Sequence, residues 1–497
     1  MHIIHIASEL APIAKVGGLG DVLYGLSKEL QREGHTVQIL LPKYDTINYN
    51  LLQNLQVYYR DLWSYDGEHC YNNTIWSADL EGLNLLLIEP HHPKFPFNRG
   101  TIYGCPDDID RFFYFSRTCM EFLFKANLRP DVIHVHDWQT ALVPLLQQDM
   151  YKNLGWQPIK TVLTLHNLEH QGKCFPHHLT RSGLRGEDYL FPDKLQDLQN
   201  KDLVNILKGG ILYSDIVTTV SPSYKKEITS SKEGFGLQDF LKQNQNRLHG
   251  ILNGIDEHFW NPEIDKHLPI SFPAHPPFPK EKWELTQKNK ELNKETLRTQ
   301  LGLPQQKTPL IACVSRLVEQ KGVFLIAHAF KHILSTGAQC VILGSSSSKE
   351  ILKIFLDLQT EYKSNTNGKI ILEYNESLSH QIYAGSDMLL IPSLFEPCGL
   401  TQMIALRYGS IPIVRKTGGL SDTVFDIDTA SCKASDRNGF TFEKPEEKEF
   451  STTIDRAIKL WKEDPKAWQK LMQQGFTKDF SWEQAAQEYL NIYKANA

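Results

Sequence analysis

Short apolar runs alternate with longer stretches of helical periodicity along almost the whole chain. His2 to Ala7 is a β-rich run. The next apolar positions, Val22, Leu23, Leu26 and Leu30, recur at helical spacing from near Gly20, and Gly34 closes that helix. Val37 to Pro42 reads as a second strand, so the order strand, helix, strand predicts a parallel sheet. Leu85 to Ile88, Val132 to Val135 and Lys160 to Leu165 are further strands, and the segments Ile211 to Ser221 and Leu248 to Asp256 complete a first doubly wound half. A second half opens at Leu310 to Val314 and continues through Cys340 to Leu343, Ile370 to Leu372, Met388 to Ile391 and Ile411 to Val414. From Trp482 the spacing of Ala485, Tyr489, Leu490 and Tyr493 predicts a helix, for which a return to the first domain is one reading.

The chain has 497 residues, too many for one core, and the pattern divides it into an N-terminal domain over 1–258, a connection over 259–304, a C-terminal domain over 305–475 and a last helix over 476–497. Pro262 to Pro279 is proline-rich and Lys280 to Thr299 strongly charged, which predicts a linker ending in a solvated helix. A net charge of −5 gives no reason to expect a nucleic-acid or anionic-membrane partner. No run reaches the roughly twenty apolar residues of a membrane span, and the first residues lack the pattern of a secretory leader. Eight cysteines without a C-x-x-C pair read as reduced thiols of a cytoplasmic protein. His91-His92, His134-x-His136 and His177-His178 lack the partners of a zinc site, so they read as surface or sugar-contacting histidines, with no metal.

Polar groups gather where the apolar runs end, and in open α/β folds the carboxyl ends of the strands are where ligands bind. After Met388 to Ile391, Pro392 ends the ladder, Glu396 lies in the loop, and a helical pattern runs from Gly399 onward. Glu396 is therefore either a site carboxylate, with general-base and nucleophilic roles open to it, or a plain complement to the helix dipole. Arg316 and Lys321 follow Leu310 to Val314, and two cations at the end of a buried strand call for an anion such as a diphosphate. Lys15-Val-Gly17-Gly18-Leu-Gly20-Asp21 precedes a helix and suits a phosphate or leaving-group cradle. It is neither a dinucleotide fingerprint, for its glycine spacing fails, nor a Walker A loop, for it lacks Gly-Lys-Ser/Thr. His136-Asp137-Trp138 and His166-Asn167 close two consecutive strands and point to a shared cleft. Arg415 to Asp422 carries a second glycine pair, Gly418-Gly419, similar to Gly17-Gly18.

These motifs, with Lys208-Gly-Gly-Ile211, Thr219-Val-Ser-Pro222, Asn253-Gly-Ile-Asp256, Phe395-Glu-Pro-Cys-Gly-Leu-Thr-Gln402 and Lys416-Thr-Gly-Gly-Leu420, together resemble the bacterial glycogen synthases and plant starch synthases over nearly the entire chain. Val16, Gly20 and the stretch from Arg407 are closest in style to the third and fourth soluble starch synthase classes. The resemblance implies an α/β protein of GT-B type, two Rossmann-like doubly wound domains facing an interdomain cleft. It implies retaining transfer of glucose from ADP-glucose, with UDP-glucose as the other donor, to the non-reducing end of an α-1,4-glucan, with no metal or cofactor. Carried over residue by residue, Arg316 and Lys321 bind the diphosphate, joined by Lys15, Gly17, Gly18 and Asp21. His166, Asp137 and Asn253 contact the transferred glucose, and Glu396 holds its hydroxyls. Tyr374 lies against the base, with Gly344 on the donor side. Cys398, Gly399, Leu400 and Thr401 form a helix start near the phosphates, and His136, Trp138 and Asn167 face the acceptor. A glucan phosphorylase shares the architecture but needs a lysine bearing pyridoxal phosphate, which nothing marks. A glucan-binding scaffold without activity fits poorly with Lys15, His166, Arg316, Lys321 and Glu396 all present.

Overall fold

The apolar runs become the strands of two sheets, one in each of two units, in a computed structural model that describes residues 1–230, 232–429 and 431–495. Unit 1 comprises Met1–Gly254 with the helix Trp482–Lys494, and unit 2 comprises Ile255–Ser481.

Unit 1 contains β1 (His2–Ile6), β2 (Thr36–Pro42), β3 (Gln53–Asp66), β4 (His69–Leu80), β5 (Leu83–Pro90), β6 (Val132–His136), β7 (Lys160–Leu165), the two-residue pair β8 (Lys173–Cys174) and β9 (Val204–Asn205), β10 (Ile216–Thr219) and β11 (Leu248–Gly250). Its main sheet runs β11-β10-β7-β6-β1-β2-β5-β4-β3. From β11 to β5 neighbours are parallel, but β4 pairs antiparallel with β5 and with β3. The expectation of a parallel sheet thus needs an antiparallel hairpin added at one edge. The run Ile211 to Ser221 divides between the helix Ile206–Tyr213 and β10. The helix from Trp482 belongs to this unit, burying Trp482, Ala485, Tyr489 and Leu490 with Ile3, Val22, Leu26 and Leu30. A Cβ at Gly25 would fall 1.9 Å from the Trp482 indole nitrogen, so glycine there is what lets the last helix lie on the first.

Unit 2 contains β12 (Leu310–Val314), β13 (Gln339–Leu343), β14 (Gly368–Ile371), β15 (Met388–Ile391), β16 (Ile411–Arg415) and β17 (Phe440–Phe442), all parallel, in the order β14-β13-β12-β15-β16-β17. In each sheet the chain works outward one way and then starts again on the other side: between β1 and β6 in unit 1, between β12 and β15 in unit 2. Such reversals leave a crevice beyond the strand ends, because the flanking connections run to opposite faces. Among the described residues no helix is long and apolar enough to cross a membrane.

The charged stretch after the prolines forms the helix Lys280–Leu301, but it is not the solvated helix expected. It buries Trp283, Thr286, Lys290, Lys294, Leu297 and Arg298 within unit 2. The Lys290 ammonium donates to the carbonyls of Ala384 at 2.8 Å, Ser386 at 3.0 Å and Tyr408 at 3.0 Å. These lie at the C-terminal ends of the helices Glu376–Gly385 and Thr401–Arg407, where the helix dipoles favour a cation. Burial pushes the Lys290 pKa down to about 7, while three short carbonyl contacts match the three N–H bonds of the charged form. Lys294 pairs with Asp387 at 2.9 Å, and Arg298 donates to Gln339 at 2.7 Å. Lys290→Met strands those carbonyls in the core, a loss of about 2–4 kcal/mol. Its melting temperature by calorimetry is expected to fall by roughly 5–10 °C, whereas the exposed neighbour Lys288→Met leaves it unchanged.

Candidate active site

In unit 2 the loops after β12 and β15 touch at the reversal of strand order. The loop after β12 ends in a turn, Glu319–Lys321, closed by Gly322 in the left-handed region at φ 72°. A Cβ on Gly322 would stand 2.2 Å from the Pro392 carbonyl oxygen, and the Leu394 N–H donates to the Gln320 carbonyl at 2.7 Å. Only glycine permits this approach, and the approach sets the chemistry. Lys321 Nζ donates to Glu396 Oε2 at 2.5 Å, and Ser393 Oγ donates to the same oxygen at 2.8 Å. Glu396 is 5% exposed, so a charge-assisted bond there is stronger than one in water. Neither bond uses Oε1, which remains able to accept from a ligand. Arg316, at the start of the same loop, is exposed and forms no ion pair among the described residues.

The second glycine pair has a packing role that its likeness to the first did not reveal. A Cβ on Gly418 would lie 1.9 Å from the Glu396 carbonyl oxygen, and one on Gly419 would lie 2.1 Å from that of Cys398. The Gly419 N–H donates to the Glu396 carbonyl at 3.0 Å. Gly418 and Gly419 therefore let the loop after β16 lie directly against Glu396–Cys398. Gly399 is left-handed at φ 74°, so the helix expected from Gly399 begins at Thr401 instead. Gly344, after β13, abuts the Ser315 carbonyl. Tyr374, after β14, is 75% exposed, with its hydroxyl donating to Glu376 at 2.7 Å. A recess of about 480 Å³ beside β17 is lined by Lys416, Glu443 and Arg456 among others, but Lys416 there already pairs with Glu443, and Arg456 with Asp426.

In unit 1 the reversal brings together the loops after β1 and β6, with that after β7 beside them. Asp137 adopts φ 53°, a strained conformation for a residue with a side chain. Its Oδ1 accepts the backbone N–H of His166 at 2.7 Å. Burial raises the Asp137 pKa from its ordinary 3.8 to about 7, against the opposing pull of the His166 and Asn167 N–H groups. His166 is half-buried, and its Nε2 lies 3.1 Å from His136 Nδ1. His136 itself is wholly buried, with Nε2 3.1 Å from His5 Nδ1. Trp138 is also buried, edge-on to Phe112 and pressed against Gly172. Neither side chain faces an acceptor as expected: both ring nitrogens of His136 are engaged inside the unit, and Trp138 is core. Asn167 is half-buried and accepts from the Glu169 N–H at 3.0 Å, a local turn. Asn253 is buried, and its Oδ1 has no hydrogen-bond partner among the described residues.

The glycine loop also differs from the phosphate cradle expected. Glu9, absent from the sequence reading, accepts the Val16 and Gly17 N–H groups on one oxygen at 2.7 and 2.8 Å, and the Tyr103 hydroxyl on the other at 2.8 Å. An internal carboxylate thus fills the N–H pocket assigned to phosphate, and Lys15 pairs with Asp21 at 2.7 Å. What the loop leaves open is the space beside Gly17 and Gly18, where an added Cβ would meet nothing within 4 Å. Nor are the paired histidines on the surface as a class: His92 is buried against Asp66 at 3.1 Å, and His134 and His136 are core. His5, His134 and His136 bring ring nitrogens within 4.8 Å of one another, but the rings are tilted by only 24–38° at 4.3–5.4 Å. Their nitrogens are already engaged, His134 with the Thr164 and Tyr493 hydroxyls and His5 Nδ1 with His136 Nε2 at 3.1 Å.

The starch synthase catalytic domain family matches residues 2–243, and the glycosyl transferases group 1 family matches residues 293–474. A glycogen synthase of Protochlamydia amoebophila is 48% identical over 495 residues, covering 100% of this chain and 99% of that protein. Glycogen synthase 1 of Synechococcus sp. (strain JA-3-3Ab) is 45% identical over 499 residues, 99% of each. Among solved structures, the catalytic domain of starch synthase IV from Arabidopsis thaliana, bound to ADP and acarbose, superposes with a TM-score of 0.94 at 45% identity, over 99% of this chain and 98% of that one. With both reversal crevices, the two Rossmann-like sheets and this identity over its whole length, the chain belongs to the glycogen and starch synthase family of GT-B glucosyltransferases.

Proposed function

We propose that this chain moves glucose from ADP-glucose to the non-reducing end of an α-1,4-glucan with retention of configuration. The observation that carries the reading is the pairing of Lys321 with Glu396 at the β12/β15 reversal, with Arg316 at the start of the same loop as Lys321 and in no ion pair among the described residues. In the reaction the bond between the glucose anomeric carbon and the diphosphate breaks, and the leaving diphosphate gains charge. Arg316 and Lys321 stabilise that charge most in the transition state, which is where stabilisation accelerates the reaction. Glu396 orients Lys321 through Oε2 and grips glucose hydroxyls through Oε1; it is not the nucleophile. Cys398, Gly399, Leu400 and Thr401 border the phosphates, Tyr374 lies against the base, and Gly344 keeps the loop after β13 clear. In unit 1, Lys15, Gly17, Gly18 and Asp21 serve the donor phosphates, through the Lys15 side chain and the open glycine face rather than through the N–H groups that Glu9 occupies. Asn253, His166 and Asp137 hold the transferred glucose, while Asn167 shapes the acceptor side. His136 moves from acceptor contact to support of His166. The Arabidopsis structure at 45% identity holds ADP, which favours ADP over UDP as the leaving group here.

Asp137 supports a functional reading by its cost. A left-handed conformation and a raised pKa both destabilise the fold, and such residues persist where function needs them. Its folded pKa lies above its unfolded one, so the folded state binds more protons between about pH 4 and 7 and loses stability as pH rises through that window.

Three outcomes follow. Lys321→Ala is expected to lower kcat about 100- to 1,000-fold with little change in the KM for glucan; steady-state kinetics showing a loss confined to glucan KM would remove the role given to Lys321. ADP-glucose is expected to exceed UDP-glucose in kcat/KM by at least about tenfold, and parity in side-by-side assays would contradict the donor assignment. Asp137→Asn is expected to abolish most turnover yet stabilise the fold by about 1–2 kcal/mol at pH 8. Thermal melts should show that gain shrinking towards pH 4.

A further inference from the structure

Two buried histidines stand behind His166 in a single hydrogen-bonded file. β1 and β6 pair with His5 opposite His134, and His136 follows two residues later on the same face of β6. His5 Nδ1 lies 3.1 Å from His136 Nε2, and His136 Nδ1 lies 3.1 Å from His166 Nε2. His5 and His136 are wholly buried, and His5 Nε2 has no hydrogen-bond partner among the described residues. His134 stacks alongside without joining the file, since its nitrogens bridge to the Thr164 hydroxyl at 2.6 Å and the Tyr493 hydroxyl at 2.7 Å. Burial holds all three rings of the file neutral, with the pKa of His5 and of His166 pushed down to about 3 and that of His136 also lowered.

A neutral imidazole carries one N–H, so both bonds of the file must point the same way. If they point inward, His166 donates from Nε2, His136 donates to His5, and the file ends in a buried His5 Nε2–H with nothing to accept it. If they point outward, His5 donates to His136, His136 donates to His166 Nε2, and what remains in the core is an unused lone pair. Orphaned buried N–H groups are rarer than unused acceptors, because a stranded donor loses more than a spare lone pair does. The outward polarity puts the His166 proton on Nδ1, the ring nitrogen with no hydrogen-bond partner among the described residues.

We infer that His5 and His136 are positioning residues that fix His166 in its Nδ1–H tautomer, so that it meets the transferred sugar as a hydrogen-bond donor. The sugar contact rests on the function proposed above; the tautomer does not. The same file explains why polar residues occupy positions on β1 and β6 that a parallel core strand would otherwise give to Val or Ile.

The test is long-range proton–nitrogen correlation NMR on the full chain labelled with ¹⁵N-histidine, with the His166 signals assigned by their loss in His166→Gln. The expected spectrum has His166 with a protonated Nδ1 and an unprotonated Nε2, and the reverse pattern in the wild type overturns the inference. His5→Leu removes the donor behind His136 and is expected to mix the His166 tautomers and lower kcat about tenfold at unchanged glucan KM. His5→Gln restores an N–H donor and is expected to recover most of both. A His5→Leu protein with the wild-type spectrum and kcat also overturns it. If the spectrum is as inferred but His166→Ala retains full kcat, the file stands and the sugar contact fails.

Discussion

The contact between the loops after β12, β15 and β16 governs the chemistry of unit 2, and it exists because three positions carry no side chain. Gly322, Gly418 and Gly419 each hold backbone against backbone at distances that any Cβ would close to between 1.9 and 2.2 Å. That packing presses the turn bearing Lys321 against the loop bearing Glu396 and makes a half-buried cation and a buried carboxylate share a proton-donor bond. A charge pair so placed is costly to desolvate, and its arrangement at the end of parallel strands resists relaxation. The result is an electrostatic site fixed before any ligand arrives, the condition under which charge stabilisation is worth most.

Unit 1 solves a different problem with a buried polar network in place of a charge pair. Strand positions that would ordinarily be aliphatic hold His5, His134, Thr164 and Thr218, and the Tyr493 hydroxyl reaches in from the last helix. Buried hydrogen-bonded networks rigidify what they touch, and the file from His5 through His136 beside this one ends at His166. Asp137 completes the support by taking the His166 backbone N–H while itself held in a strained conformation. The helix Trp482–Lys494 is thereby both core cover and a partner to the network.

Much of this was legible in the residue pattern, and the misses have physical causes. Strands buried on both faces, such as Leu310–Val314 and Lys160–Leu165, read directly as apolar runs, and their polar sequels marked Lys321, Glu396 and His166. The hairpin β3–β4 left no such run, because β3 is an edge strand largely exposed along its length and interrupted by register shifts and by left-handed residues at Asn54 and Asp61. The helix Lys280–Leu301 read as solvated because charge conceals burial: Lys290, Lys294 and Arg298 find partners dozens of residues away. The two glycine pairs look alike in sequence, yet Gly17-Gly18 faces open space and Gly418-Gly419 is clamped by backbone. Glu9 and His5 were missed for the same reason, since their roles depend on neighbours that only the fold supplies.

The claim on which all of this converges is transfer of an intact glucosyl group to a glucan with its configuration kept. Incubation with ADP-glucose labelled with ¹³C at the anomeric carbon and a maltooligosaccharide, followed by carbon NMR and by measurement of ADP, tests it most directly. The account predicts one ADP released for each glucose added, with the label appearing in new α-1,4 linkages at chain ends. Label in free glucose without chain growth, or in β-linkages, would contradict it.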